Sequence, residues 1–340
     1  MNRHLTKFLI AALLLTVFTY ADSYAQEKRA QTTMKFLSAP LSARATGMGD
    51  AVTAMETGSM GIFYNPAALG FQQSLFDVSM GNVSWIADIE YQYAAMTFRP
   101  RNGRFGVFGL SMLSTDYGQM TETVRQDSDL GYEVLGTFSP SAYAFGFTYA
   151  RAISNQFSVG GNIRYAELDL ANAITARSDD EADGFTRERF IADTFTIDFG
   201  VLFKTGFESL NFAMSLRNYS REISYIRDTQ ELPLTFRIGL AMNVFDLTSL
   251  NPDMHKLWVS VDANRPRDYY EQLMIGAEYT FAQRLHLRSG YVFPSDEQGL
   301  SFGVGVSQAF ASRYGIKADF SHSAFGVFNS VNRLSIQLSF

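Results

Sequence analysis

Apolar and polar residues alternate in short segments from about residue 75 to the last residue, Phe340. In residues 272–281, for example, apolar side chains at most of the odd positions alternate with residues such as Glu278 and Thr280. Successive side chains of a β-strand point to opposite faces of its sheet. A period of two therefore predicts strands that are apolar on one face and polar on the other.

Fourteen segments carry this pattern. We predict strands at residues 75–82, 90–99, 104–113, 140–151, 157–169, 191–204, 209–218, 234–245, 256–264, 270–281, 284–292, 299–309, 313–321 and 329–340. The odd-numbered connections are long, as at 114–140 and 171–190, and the even-numbered connections are short, as at 101–103 and 282–283. This asymmetry is typical of outer-membrane barrels. The even number of strands predicts that both chain termini lie on the side of the short connections.

The charges on the polar face favour a membrane barrel over the alternative, a soluble β-sandwich. A sandwich buries one face of each sheet in a dry core, whereas a barrel turns its apolar face to lipid and its polar face to the lumen. Unpaired ions are costly in a dry core, but a hydrated lumen or a polar plug accommodates them. We therefore predict an all-β fold, a 14-stranded antiparallel transmembrane β-barrel. Its predicted lumen charges are Arg164, Asp198, Arg217, Arg237, Asp262, Glu278, Arg284, Arg288, Lys317, Asp319 and Arg333.

The first 25 residues have the pattern of a secretory signal peptide. Arg3, His4 and Lys7 precede an apolar run at residues 8–20, and small residues at 23–25 fit a cleavage site. As a helix this run spans only about 20 Å, which is too short for a hydrocarbon core of about 30 Å. The chain thus divides into three predicted regions, a signal peptide at 1–25, a separate N-terminal segment at 26–74 and the barrel at 75–340.

The last predicted strand ends on an aromatic residue. Leu334, Ile336, Leu338 and Phe340 share one face of it. A terminal aromatic residue in this setting resembles the signal that barrel-assembly machinery reads. Together with the signal peptide it predicts location in the outer membrane of a Gram-negative-type cell, with outer-membrane lipid and the assembly machinery as partners.

Residues 34–71 do not alternate, yet they are too apolar for a disordered tail. They contain Arg44, the sequence Gly47-Met48-Gly49 and the sequence Asn65-Pro66-Ala67. These pieces resemble the N-terminal hatch of the PorV/PorQ family, and the Asn-Pro-Ala core is shared with FadL-type transporters of hydrophobic substrates. The resemblance implies a small hatch inside the lumen. Its candidate gate residues are Arg44, Gly47, Gly49, Asn65, Pro66 and Ala67.

The residues of this segment suit a compact plug. Asn65-Pro66 favours a turn followed by the first helical position, and Gly47 and Gly49 permit close backbone approach. Arg44 is expected to pair with a carboxylate of the lumen, the candidates being Asp262, Glu278 and Asp319. The other lumen charges among the candidate site residues are Arg237, Arg288, Lys317 and Arg333.

The PorV/PorQ resemblance implies a barrel associated with type IX-like protein secretion or with surface attachment of cargo. Secretion-system components or exported cargo would then be its partners. The alternative is a FadL-like channel for the uptake of hydrophobic small molecules, in which the hatch gates the lumen. The resemblance places the secretion role first.

Several kinds of chemistry are not expected. The chain has no Cys, which excludes a lipid-modified cysteine, disulfides and thiolate metal sites, and its net charge of −6 does not suit nucleic acid. The four His lack zinc-binding spacing. Neighbours on a strand point to opposite faces, so Ser321-His322-Ser323 is badly arranged for proton transfer. We expect neither enzymatic activity nor a cofactor or metal.

Overall fold

The computed structural model of the protein describes residues 32–126, 129–176, 185–224, 229–295, 298–310 and 314–340. The predicted signal peptide at 1–25 lies outside the described residues. Among the described residues, no helix is both long and apolar enough to cross a bilayer.

The described chain contains eighteen strands and several short helical segments. The strands are β1 Phe76–Ser84, β2 Glu90–Phe98, β3 Val107–Asp116, β4 Met120–Arg125, β5 Tyr132–Phe138, β6 Ser141–Ala152, β7 Phe157–Ala176, β8 Phe185–Lys204, β9 Asn211–Tyr219, β10 Ile223–Ser224, β11 Thr229–Gln230, β12 Thr235–Asn243, β13 His255–Pro266, β14 Gln272–Phe281, β15 Leu285–Phe293, β16 Leu300–Phe310, β17 Tyr314–Ala324 and β18 Ser330–Ser339. The α-helices are α1 Ala43–Gly47 and α2 Gly61–Tyr64, and the 3₁₀ segments are Lys35–Ser38, Gly58–Met60, Pro66–Phe71, Ile86–Asp88, Pro100–Gly103, Val244–Leu247 and Gly326–Phe328.

Fourteen of the strands close into one antiparallel barrel, in the order β1-β18-β17-β16-β15-β14-β13-β12-β9-β8-β7-β6-β3-β2. The barrel is closed by the pairing of β1 with β18, in the register Asp77 to Ser339 through Ser84 to Asn332. Because every barrel strand has a partner on both sides, no edge of backbone donors and acceptors is left for lipid to cover. This confirms the predicted fold class.

The outer surface of the barrel is apolar all the way round. Large side chains such as Phe145, Phe195, Leu287, Phe302 and Leu334 are about half exposed, and each alternates with a buried neighbour on its strand. An outward apolar band of this kind is what a membrane-spanning barrel presents to lipid. The apolar face of the sequence pattern therefore faces outwards, and the polar face lines the lumen.

All fourteen barrel strands were predicted, but two predicted connections contain further strands and a third is shorter than predicted. The 114–140 connection holds the hairpin β4–β5, and β10 pairs with β11 between β9 and β12. Residues 171–190 were predicted to be a connection, which was wrong at both ends, because β7 continues to Ala176 and β8 begins at Phe185. Strands β7 and β8 pair through their backbones beyond the ends of the neighbouring strands. Such pairing does not require the alternation of apolar and polar residues on which the prediction relied, so this part of the hairpin was missed.

The N-terminal segment, residues 32–74, is the hatch, and it crosses the lumen from end to end. Thr33 donates its backbone N–H to Glu231 in the connection between β9 and β12, which belongs to the end of the barrel with the long connections. At the other end, Gln72 accepts a hydrogen bond of 2.7 Å from Thr97 of β2. Thr32, the first described residue, thus lies at the long-connection end, and the N-terminus, which was predicted to lie on the short-connection side, is outside the described residues. The strand region begins and ends on the short-connection side, where Leu75 bonds to Phe340.

Candidate functional site

The Gly47-Met48-Gly49 sequence of the hatch presses directly on the barrel wall. It begins at Gly47, the last residue of α1, and the Ser42 hydroxyl caps the first turn of this helix. Gly49 has a φ of 62°, a backbone conformation that favours glycine. The wall residues opposite are Gly276 of β14, Gly290 of β15 and Gly303 of β16. A Cβ on Gly290 would overlap the backbone of Met48 and Gly49, and one on Gly303 would lie 3.1 Å from the Cα of Gly47. Backbone therefore packs on backbone here.

A second contact of the same kind is formed by Asn65-Pro66-Ala67. The Asn65 side chain accepts a hydrogen bond from the Ala67 N–H at 3.1 Å and donates one of 2.9 Å to the carbonyl of Thr53. A Cβ on Gly160 of β7 would lie 2.5 Å from the Pro66 carbonyl carbon, and one on Gly200 of β8 would overlap Asn65. Gly160 and Gly200 are paired residues of adjacent strands. The turn thus lies against two adjacent wall positions that have no side chain.

These wall glycines were missed in the sequence, although a signal was present. Gly160, Gly200, Gly276, Gly290 and Gly303 all occupy inward positions of their strands, in phase with the polar residues. Glycine weakens a strand, so its recurrence at inward positions indicates close approach of another backbone. The two sequences that carried the family resemblance are explained by this docking, because each one lies against a wall glycine pair.

Arg44 forms the ion pair that was expected of it, and its partner is Glu278. The Arg44 Nη2 atom lies 2.7 Å from Glu278 Oε1, and its Nε donates to Oε2 at 2.9 Å. Arg288 donates to the same carboxylate at 2.5 Å and to Asp319 at 2.7 Å. Burial opposes the charge of Arg44, but the Glu278 carboxylate outweighs this and raises the pKa of Arg44 above its usual value. Four charged groups thus join the hatch to β14, β15 and β17.

The other predicted lumen charges face inwards, with one exception. Arg284 was predicted to line the lumen, which was wrong, because it lies exposed in the turn between β14 and β15, where the alternation of the strand does not apply. Arg237 donates to Asp50 of the hatch at 2.8 Å, and Asp262 accepts from the Thr53 N–H at 2.9 Å. Arg333 donates to the Pro40 carbonyl at 2.9 Å. Lys317 is half-buried near the short-connection end and forms no ion pair with a described carboxylate. The lumen charges are thus held mainly by the hatch and by one another.

A cavity of about 300 Å³ lies at the long-connection end of the lumen. The hatch, at Lys35 and at Ser38–Pro40, forms its floor. One side is aromatic, because the Trp85 ring packs edge-on against Tyr91 at 5.9 Å and against Phe325 at 5.1 Å. The opposite strands, β9 and β12, contribute Arg217 and Arg237 to its lining. None of these aromatic residues had been assigned to the lumen from the sequence, since aromatic residues are common throughout the chain.

A second cavity, of about 210 Å³, lies at the short-connection end. It is polar, with Asp77, Ser307, Lys317 and Gln337 in its lining. Between the two cavities the lumen is occupied by the hatch and by the ion pairs around Glu278. Among the described residues, no group of His, Asp and Glu side chains is arranged to hold a metal ion.

Comparisons with known proteins show similarity of fold to solved outer-membrane barrels. The sequence matches no protein-family model and no curated protein. The toluene transporter TbuX of Ralstonia pickettii superposes with a TM-score of 0.57 at 14% identity, over 86% of this chain and 96% of that chain. The toluene transporter TodX of Pseudomonas putida gives 0.56 at 12%, over 94% and 98%. A FadL homologue of Pseudomonas aeruginosa gives 0.52 at 9%, over 88% and 98%.

The chain therefore has the fold of FadL-like outer-membrane barrels. At these identities the similarity extends to the fold alone, and it does not show the PorV/PorQ relationship that the sequence resemblance implies.

Proposed function

We propose that this protein is an outer-membrane channel for the uptake of small hydrophobic molecules, with the hatch as its gate. The observation that carries the proposal is the cavity at the long-connection end, which has aromatic rings at its side and the hatch as its floor. Ligand pockets are concave, mostly apolar and about 300–1,000 Å³ in volume. The export signal predicted at residues 1–25 and the apolar outer band support location in the outer membrane.

Passage through the lumen requires the hatch to shift. The two cavities lie on opposite sides of it, and the space between them is filled by its backbone, its apolar side chains and the Arg44 ion pair. The glycine contacts hold residues 47–49 and 65–67 closely against the wall. The segment Lys35–Ser38 is held differently, by side chains such as Asn218, which donates to the carbonyl of Leu37 and to Ser38. We propose that this first segment moves when a ligand passes.

The secretion role has weaker support from the structure. The sequences that resemble the PorV/PorQ hatch are buried, and Gly47, Asn65, Pro66 and Ala67 are all out of reach of a macromolecule outside the barrel. Their contacts are with wall glycines, which a plug of either functional class would need. The resemblance is thus accounted for by docking of the hatch and does not select a function.

Uptake by whole cells tests the proposal. We expect cells that carry the channel to take up radiolabelled toluene faster than null cells, and Trp85→Ala to reduce the rate about tenfold, which corresponds to roughly 1.4 kcal/mol of lost binding. Phe195→Ala is the matched control, because that ring is 63% exposed on the lipid-facing surface. It should leave uptake unchanged.

The same strains distinguish the two functions. Equal toluene uptake by null and complemented cells would refute the channel. If shortening the 117–140 connection then reduced the recovery of surface-attached cargo, the secretion role would replace it. Normal cargo display in the null strain together with Trp85-dependent uptake would establish the channel.

A further inference from the structure

Among the described residues, the charges that line the cavity at the long-connection end do not balance. They are the cations Lys35, Arg217 and Arg237 and the two carboxylates Asp50 and Asp268. Lys35 pairs with Asp268, and Arg237 pairs with Asp50 at 2.8 Å. Arg217 is the remaining cation, and it forms no ion pair with any carboxylate of the described residues.

The surroundings of Arg217 leave its guanidinium incompletely bonded. Its side chain is buried, at 5% exposure for the residue, and its Nε has no hydrogen-bond partner. Its Nη2 donates a long bond of 3.4 Å to the Leu37 carbonyl, and the Tyr64 ring lies 5.7 Å away. A buried cation needs a counter-ion or several acceptors. Within the described residues this one has a single weak acceptor and a ring.

The local backbone explains why Arg217 is held in this position. The register between β8 and β9 shifts at Ile197/Phe199, and Asn218 has a φ of 60°. Both Arg217 and Asn218 are buried, although neighbours on a regular strand point to opposite faces. Asn218 uses its N–H to bond to Asp198 at 2.7 Å, which fixes the bulge. Bulges commonly re-aim side chains next to binding sites.

Building on the proposed function, we infer that this cavity binds a small aromatic carboxylate, with the carboxylate on Arg217 and the ring against Trp85. The planar fork of a guanidinium matches a carboxylate in two parallel hydrogen bonds. A single unpaired cation suits a monoanion, and the aromatic side of the cavity suits the ring. A volume of about 300 Å³ is at the small end of the range for ligand pockets, which favours a single-ring ligand.

The experiment measures binding in this cavity by the fluorescence of Trp85. The chain has two Trp, so Trp258→Phe leaves Trp85 alone in the otherwise intact barrel. The purified protein in detergent is titrated with 3-phenylpropionate and, in parallel, with the uncharged isostere 3-phenylpropanamide. We expect the acid to bind more tightly than the amide, and Arg217→Gln to weaken the acid about 10- to 100-fold while leaving the amide unchanged.

Two further variants make the result specific. Arg265→Gln removes one positive charge from the same end of the barrel, but Arg265 is exposed and its partner Glu271 is exposed as well. It should not change either affinity. Arg217→Lys keeps the charge and loses the fork, so it should retain part of the preference for the acid, and it supplies the test if the Gln variant does not fold.

The outcomes separate this inference from the proposed function. Equal binding of acid and amide, or an equal loss of both in Arg217→Gln, would overturn the role of Arg217 while toluene uptake could still establish the channel. A Trp85 signal that responds to neither compound would overturn the ligand site. Toluene uptake that fails while the acid binds through Arg217 would refute the channel and leave the binding site in place.

Discussion

Two regions of the lumen wall hold the same hatch by different means. The uncharged wall, formed by β2, β3 and β6, presents only uncharged residues inwards, and all five inward positions of β6 are small: Ala142, Ala144, Gly146, Thr148 and Ala150. The charged wall, formed by β14, β15, β17 and β18, presents Glu278, Arg288, Asp319 and Arg333. Large apolar hatch residues pack on the first, whereas polar hatch groups bond to the second.

The difference shows how a plug can be held without becoming a permanent part of the barrel. Apolar contact at the uncharged wall, such as that of Phe63 with Tyr93 at a ring distance of 5.9 Å, supplies stability without direction. The ion pair of Arg44 with Glu278 depends strictly on geometry, so it selects one seated position. Stability and position of the hatch thus come from opposite sides of the lumen.

The largest loss of stability is expected for Gly290→Val on the charged wall. The new Cβ would overlap the backbone of Met48 and Gly49, which cannot rotate away as a side chain can. Overpacking costs about 1–3 kcal/mol and more where nothing can yield, so we expect a cost of at least about 3 kcal/mol and a displaced hatch. Conductance of the purified protein in a planar bilayer should rise. Gly136→Val, where a Cβ would meet nothing within 4 Å, should not change it.

A smaller effect is expected for Glu278→Gln, which removes the charge shared by Arg44 and Arg288. Arg288 keeps Asp319, so the expected loss of stability is about 2–3 kcal/mol, the range for hydrogen bonds to charged groups. The measurement is the midpoint of urea-induced loss of the heat-modifiable form on gels. The control Glu271→Gln changes an exposed pair and should shift the midpoint little. Equal shifts would show that the charged wall does not position the hatch.

The smallest loss of stability is expected for Ile62→Val, a change in the hatch where it contacts the uncharged wall. Ile62 is buried, and its Cδ1 atom would lie 2.8 Å from a Cβ on Gly109 of β3, so the side chain occupies the room that this glycine leaves. Deleting one buried methyl group costs about 1 kcal/mol. Ile163→Val on the lipid-facing surface serves as the control. If Ile62→Val lowered the stability more than Glu278→Gln does, the roles assigned to the two walls would be reversed.

The strands were predicted well because their signal is local. Each segment shows its own period of two, so β14 at Gln272–Phe281 and β18 at Ser330–Ser339 can be recognised without knowledge of their partners. The hairpin β4–β5 and the extension of β7 and β8 were missed, because strands outside the lipid need no apolar face. The direction of the hatch was not predicted, since nothing in residues 32–74 specifies at which end they enter the lumen.

The sequence by itself determined the fourteen alternating strands, the inward charges and the apolar outer face, because strand geometry turns a period of two into two faces. It also identified Arg44 as a residue that needs a carboxylate. Only the tertiary structure decided that this carboxylate is Glu278, that Gly290 and Gly200 receive the hatch, and that Arg217 has no counter-ion among the described residues. The physical reason is closure of the barrel, which brings residues more than 200 positions apart into contact across the lumen.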